Sequence, residues 1–336
     1  MAMDERRLRI VAWVLAGLAL TLVLAVHLLP ALMAGLLVYE LVHLTAPLLQ
    51  RRLTSQRAKL AAIGLLAATM IVVVALGVVT LVRIFQSDVG SMQGLTSRLA
   101  EILEGSRQSL PAWLAASLPD NVDALKDAFA RWLREHGAEL QLAGKHAARG
   151  FVHLLFGLVI GAIIAMREEA VVGATMKPLA AALAERARRL AEAFRRIVFA
   201  QVRISAINTA LTACYLVVVL PLLDVHLPLT KTLIAICFVA GLIPVLGNLI
   251  SNTVIVVVSL AHSADIAVAS LVFLVVIHKL EYFLNARIVG GQIAAKAWEL
   301  LLAMLTMEAA FGLPGLIAAP VYYAYLKCEL RDAGMI

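Results

Sequence analysis

Two strongly apolar stretches in the C-terminal half, residues 230–261 and 298–327, are each broken in the middle by proline and glycine. The first break holds Gly241, Pro244 and Gly247; the second holds Gly312, Pro314 and Gly315, with Pro320 just beyond. The apolar arms on either side run only about 13–14 residues, whereas a helix that crosses a bilayer needs roughly 20. The pattern predicts two hairpins, each made of half-helices that meet at a tip. Amide groups freed at such a tip cannot face lipid, where each unsatisfied group costs several kcal/mol. They must be buried in protein or line a wet cavity. Short, paired, interrupted segments of this kind point to the binding site of a secondary transporter.

Composition agrees with a membrane protein. Apolar residues make up 62% of the chain and charged residues 15%, against about 45–50% and about 25% in soluble domains. A net charge of +7 invites a nucleic-acid reading, but the basic residues flank apolar segments instead of forming one basic domain. Nucleic acid is therefore excluded as a partner. The run Ile10–Leu29 follows Arg6, Arg7 and Arg9 as a secretory leader would. It leads through Pro30 into another apolar run without an Ala-x-Ala cleavage site, so it reads as a retained helix. Cys214 and Cys237 lie inside apolar segments and Cys328 at a polar end, which suggests no disulfide framework.

The expected fold is all-α and polytopic. Residues 1–82 supply three N-terminal membrane helices, 83–149 an extracytoplasmic helical insertion, and 150–166 a fourth span. Residues 167–203 form a basic amphipathic helix, and 204–336 a C-terminal transport region containing both hairpins. Lys and Arg counts orient the chain. Residues 50–59 carry four basic residues and no acid, and 167–203 carry eight against four acids, whereas eight acids balance eight bases in 83–149. Both termini, 50–59 and 167–203 are thus expected in the cytoplasm of a bacterial inner membrane, with 83–149 outside. Re-entrant hairpins would give six full spans and crossing hairpins ten; the short arms favour re-entry. In the insertion, Leu95, Leu99, Ile102 and Leu103 share a helical face, as do Val122, Leu125, Phe129, Trp132 and Leu133. A small helical cap is the simplest reading.

Pro178 suits a first helical turn, and Leu179, Leu183, Leu190, Phe194 and Ile197 follow it at helical spacing. Arg186, Arg188, Arg189, Arg195 and Arg196 fill much of the remaining surface. A helix of this kind is expected to lie at an anionic membrane face.

Specific motifs cluster in the last hundred or so residues. Gly241-Leu-Ile-Pro244-Val-Leu-Gly247 resembles the Ile-Pro-x-x-Gly motif of the autoinducer-2 exporter family of bacterial membrane proteins. Glu281, Asn285 and Ile288-Val-Gly290 resemble that family's segment before its last helices. The ending Phe311-Gly-Leu-Pro-Gly-Leu-Ile-Ala-Ala-Pro320, followed by Tyr322-Tyr-Ala-Tyr-Leu-Lys327, is similar to its closing motif. The layout of spans is similar as well. The chain departs from the pattern at Ala286, often Pro in the family, at Trp298-Glu299, near a common His-Pro pair, and at Glu308, where a small residue is usual. The resemblance implies transport of autoinducer-2 or another small solute, or sodium/proton exchange, and these departures surround the expected site.

No Walker phosphate loop, Gly-x-Ser-x-Gly elbow or His-Glu-x-x-His pair occurs, so neither an enzyme nor a nucleotide-driven pump is expected. No cofactor or metal site is expected either. Ionisable groups within membrane segments are candidate functional groups. Glu308 sits four residues before Gly312, either as a proton carrier or as a structural partner of Lys296 or Lys279. Glu281 and Asn285 stand one helical turn apart, flanked by Lys279 and Arg287, and form either a polar cargo site or a solvated helix end. Asn248 and Asn252 repeat that spacing after the first tip, with Ser251 between them; amides there suit a hydroxyl-rich substrate or a dehydrated cation, or glue between helices. Gln201, Ser205, Asn208 and Thr212 make a polar stripe that either packs against a hairpin or lines its path. Glu40 and His43 read as a buried local pair.

The leading expectation is a secondary transporter that exports a small polar molecule, coupled to protons or to no ion. A cation/proton antiporter using Glu308 and Glu281, and a non-transporting membrane scaffold, are the alternatives. Expected partners are the lipid bilayer, a small polar solute, H+ or Na+, and further copies of the chain in a homo-oligomer.

Overall fold

The computed structural model describes residues 5–49, 57–58, 60–69, 127, 131, 134–172, 176–227, 229–242, 246–260, 262–263, 265–277, 279 and 296–336. Among the described residues the regular structure is entirely helical. In chain order the helices are α1 (Glu5–Ala25), α2 (Leu29–Leu49), α3 (Leu60–Thr69), α4 (Gly137–Val172) and α5 (Pro178–Cys214). They are followed by α6 (Thr230–Gly241), α7 (Leu246–Leu260), α8 (Asp265–Ile277), α9 (Ala297–Phe311) and α10 (Leu313–Asp332). Among these, α1, α2, α4 and α5 are long and apolar enough to cross a membrane. The expected end of the third span at Val82 and most of the insertion lie outside the described residues.

Two compact units emerge. One comprises Met1–Val73, Leu142–Phe199 and Val289–Ile336; the other comprises Val74–Gln141 and Ala200–Ile288. The first contains α1–α3, most of α4, the first half of α5, and α9–α10. Its core joins Leu190, Ala193, Phe194 and Ile197 of α5 to Val321, Ala324 and Tyr325 of α10, with Leu20, Leu32 and Leu36 alongside. The apolar stripe on α5 that was expected to meet lipid is therefore the core seam with α10. The second cluster of this unit sets Val38 and Val42 of α2 against Ala165 of α4. Between these two helices the backbones touch: a Cβ on Gly157 would run into the Ala31 carbonyl, and one on Gly161 into that of Gly35. Small residues four apart on both helices allow this close crossing.

The second unit is built around the end of α5. Tyr215, Leu216 and Leu220 are buried with Leu233 of α6, Ile255 of α7 and Leu274 of α8. Here α5 passes into a π-helical turn over Tyr215–Val219, then a last turn at Leu220–Leu222. Pro221 explains the wider turn, because it brings no N–H for the carbonyl four residues back. Asp224 then stops the helix in the left-handed region at φ 57, with Val225 N–H donating to the Leu220 carbonyl in a Schellman closure.

The interval 167–223, expected as an interfacial helix plus a separate span, forms one continuous helical run from Pro178 to Leu222. No glycine or proline falls between Leu179 and Leu220, so nothing breaks the helix where its polarity changes. The fourth span likewise lies within a helix that begins at Gly137.

Replacing Gly157 with Leu should lower stability by about 1–3 kcal/mol, because neighbouring backbone cannot yield to a side chain. Gly17→Ala, with nothing within 4 Å of the new methyl, should be neutral or slightly stabilising. Thermal melting of the detergent-purified variants, followed by size-exclusion recovery, checks both.

Candidate functional site

The first hairpin consists of α6 and α7. At 12 and 15 residues they span about 18 Å and about 22 Å, short of the roughly 30 Å hydrocarbon layer. Pro244 lies outside the described residues, while Gly241 and Gly247 flank the tip and are both buried. A Cβ on Gly247 would run into the Ala240 carbonyl, and one on Gly241 would lie 2.6 Å from Ser205 Oγ. The two arms and α5 thus meet where only hydrogen atoms fit.

The last carbonyls of α6 have no further helical turn to accept from, and α5 supplies their donors. Gln201 Nε2 donates to the Gly241 carbonyl at 2.7 Å, and Ser205 Oγ to the Phe238 carbonyl at 2.7 Å. One turn further along α5, Asn208 Nδ2 donates to Asn248 Oδ1 at 3.1 Å. Beyond it, Cys237 Sγ lies 3.8 Å from Thr212 Oγ1. The polar stripe therefore faces the hairpin, and its side chains ligate backbone and amide groups at the tip. Ser251 is buried and turns back onto the Gly247 carbonyl at 2.9 Å. Asn252 is half-buried one turn after Asn248. Thr209 Oγ1, adjacent to Asn208, is buried with no hydrogen-bond partner among the described residues.

Farther down the same unit, Tyr215, Ser270 and Ser259 join α5, α8 and α7 through a buried hydroxyl chain. Tyr215 Oη lies 3.0 Å from Ser270 Oγ, which lies 2.8 Å from Ser259 Oγ. Sequence reading missed this chain, since isolated serines in apolar helices carry no spacing signal.

The second hairpin, α9 and α10, turns on a single residue. Gly312 adopts φ 64 and ψ −149, a region effectively reserved for glycine. Its N–H donates to the Glu308 carbonyl at 2.6 Å, and its own carbonyl accepts from Leu316 N–H at 3.2 Å. Pro314 falls in the first turn of α10, where a missing N–H costs nothing. Gly315 brings α10 against the Met307 carbonyl. Pro320 lies inside α10 and is buried. The Glu308 side chain is exposed on α9. At the open end of the hairpin, Glu299 accepts from Tyr323 Oη at 2.6 Å and Lys327 Nζ at 2.5 Å, tying the two arms together. Glu281, Asn285 and Arg287 lie outside the described residues.

The arginines expected to face anionic lipid are largely engaged within the protein. Arg186 and Arg189 reach α10, where both contact Glu329 and Arg189 also pairs with Asp332 at 2.7 Å. Burial works to raise the Glu185 pKa, but hydrogen bonds and charge from Arg189 and Arg188 outweigh it and hold the carboxyl below its ordinary range. Its stabilising contribution is present above that range and is lost as pH falls through the folded pKa. On α2, Glu40 is buried with Arg195 Nε 3.8 Å away. His43 Nδ1 donates to the Tyr39 carbonyl at 2.8 Å.

Long apolar helices joined with Gly/Pro-broken hairpins are those of a multi-pass membrane protein. The chain matches the AI-2E family transporter model over residues 8–332, and it belongs to that family. No curated protein and no solved structure matches it.

Gly241→Ala should cost about 1–3 kcal/mol through overlap with Ser205. Ser205→Ala should cost about 1–3 kcal/mol by leaving the Phe238 carbonyl short of a donor. Because the two side chains compete for one space, the double variant should cost less than the sum. Melting temperatures of the three variants give the coupling directly.

Proposed function

We propose that the protein is a secondary transporter that exports a small, polar, uncharged molecule, autoinducer-2 or one similar to it, with Glu308 as its proton-coupling group. One observation carries this reading: the tip of the first hairpin presents amides and hydroxyls from Gln201, Ser205, Asn208 and Asn248, with Asn252 and Ser251 on the same arm. Amides both donate and accept, so a hydroxyl-bearing solute can exchange places with these internal partners at little cost. The family match supports transport, and the missing nucleotide-binding motif supports a gradient as its energy source. The short arms of the first hairpin, 12 and 15 residues, support its re-entry from one face, whereas α10 of the second is 20 residues long. Both termini are assigned to the cytoplasm. The positive-inside distribution supports this, as does the meeting of the start of α1, the basic half of α5 and the end of α10.

The test uses purified protein in proteoliposomes with an imposed pH gradient. Radiolabelled autoinducer-2 should accumulate above the level of empty vesicles. Glu308→Gln, which fixes a neutral side chain of the same shape, should remove the gradient-driven part and leave exchange. Sodium/proton exchange without solute uptake would replace this reading with an antiporter, and neither flux would make the protein a scaffold.

A further inference from the structure

A second concentration of buried polar groups lies in the first unit, where the first half of α1, the first half of α5 and the end of α10 come together. Glu329 is 4% exposed. A single oxygen, Oε2, accepts from Trp13 Nε1 at 3.0 Å, from Arg186 Nη1, and from Arg189 Nη1 at 3.4 Å. Arg189 is held in turn by Glu185 at 2.9 Å and Asp332 at 2.7 Å. Meanwhile Glu329 Oε1 and Arg186 Nε are buried with no hydrogen-bond partner among the described residues.

This is an unusual way to build a permanent staple. Arginine and carboxylate normally pair side by side, two donors to two oxygens. Here Trp13, Arg186 and Arg189 all converge on one oxygen, and the Tyr325 hydroxyl also bears on the carboxylate, while Arg186 Nε and Glu329 Oε1 stay without a close partner among the described residues. Each unused group forgoes the hydration that it would regain on exposure. The closed arrangement is therefore poised: separating the helices loses three hydrogen bonds and rehydrates both idle atoms. The tie to α1 is also the weakest in charge, a neutral indole N–H from Trp13.

We propose that the Trp13–Arg186–Arg189–Glu329 cluster is a latch at the cytoplasmic end of the transporter, closed in this structure and opened during the transport cycle to part the last turn of α10 from α5 and from Trp13, while Tyr322 still holds α10 to the Leu20 carbonyl of α1. The inference rests on the orientation proposed above for the side on which it acts.

Cys328 is a built-in reporter. It neighbours Glu329, is partly buried, and has its Sγ 3.8 Å from Asp332 Oδ2. Burial first, and then the Asp332 charge, raise its pKa above the ordinary thiol range, so it should react slowly while the latch is closed. The experiment uses the full chain with Cys214→Ser and Cys237→Ala, in inverted and right-side-out membrane vesicles, treated with a charged, impermeant maleimide. Trp13→Phe keeps the aromatic body and removes only the N–H. It should speed Cys328 modification in inverted vesicles on the order of tenfold, the weight of one hydrogen bond to a charged group, and well beyond the rate in Gly157→Leu, which is destabilised at the α2–α4 crossing instead. Glu329→Gln should act in the same direction. An unchanged rate in Trp13→Phe, or an equal acceleration in Gly157→Leu, would overturn the latch and leave a structural staple. Modification solely in right-side-out vesicles would overturn the orientation instead, and a Trp13→Phe acceleration on that face would leave the latch standing.

Discussion

The structure depends on one obligation: every backbone amide and carbonyl within a membrane must find a partner inside the protein. Continuous helices meet it by themselves. A broken hairpin does not, and each of the two tips answers in its own way. At the first, side chains from another helix supply the missing donors, Gln201 to the Gly241 carbonyl and Ser205 to that of Phe238. At the second, the chain closes on itself, with Gly312 N–H returning to the Glu308 carbonyl. The first solution brings polar side chains to the tip, and polar side chains are what a solute can bind. The second is nearly self-contained, which leaves the Glu308 carboxylate facing outward from α9.

Charge follows the same logic of placement. Of the two buried carboxylates among the described residues, Glu40 lies midway along α2 with Arg195 Nε 3.8 Å away, and Glu329 lies at the end of α10, where arginines reach it from the polar half of α5. Cluster members far apart in sequence can meet only if their helix ends share a membrane face. Contact between Trp13 and Glu329 joins the first half of α1 to the end of α10. Sequence charge counts lead independently to the same pairing of termini.

Much of this was legible in the residues. The arms of the first hairpin follow from apolar runs too short to span, and α6 and α7 fall within 230–261. By contrast, α10 runs to 20 residues and past the expected end at Lys327, to Asp332, because the polar residues after Tyr325 carry no helix breaker. The 201–205–208–212 stripe was visible as helical spacing, but its partners were not, because two of them are backbone carbonyls, which carry no residue signature. Continuity of α5 was hidden by a change in polarity near Arg203 that alters what the helix faces without altering its backbone. The arginine face was read toward lipid because its acidic partner, Glu329, lies 143 residues from Arg186, beyond the reach of any local pattern. The Tyr215–Ser270–Ser259 chain escaped for another reason: isolated serines in apolar helices carry no spacing signal.

The central claim is that the first hairpin's tip is a polar, wet site inside the membrane. Single cysteines at Asn248, beside the tip, and at Val257, on the exposed face of the same arm, test it most directly in a cysteine-free background. A small hydrophilic thiol reagent applied to intact vesicles should modify Asn248→Cys and leave Val257→Cys unreacted, because thiols in hydrocarbon do not ionise. Protection of both positions would mean that Gln201, Ser205 and Asn208 merely seal a dry joint, and the binding site would have to lie elsewhere.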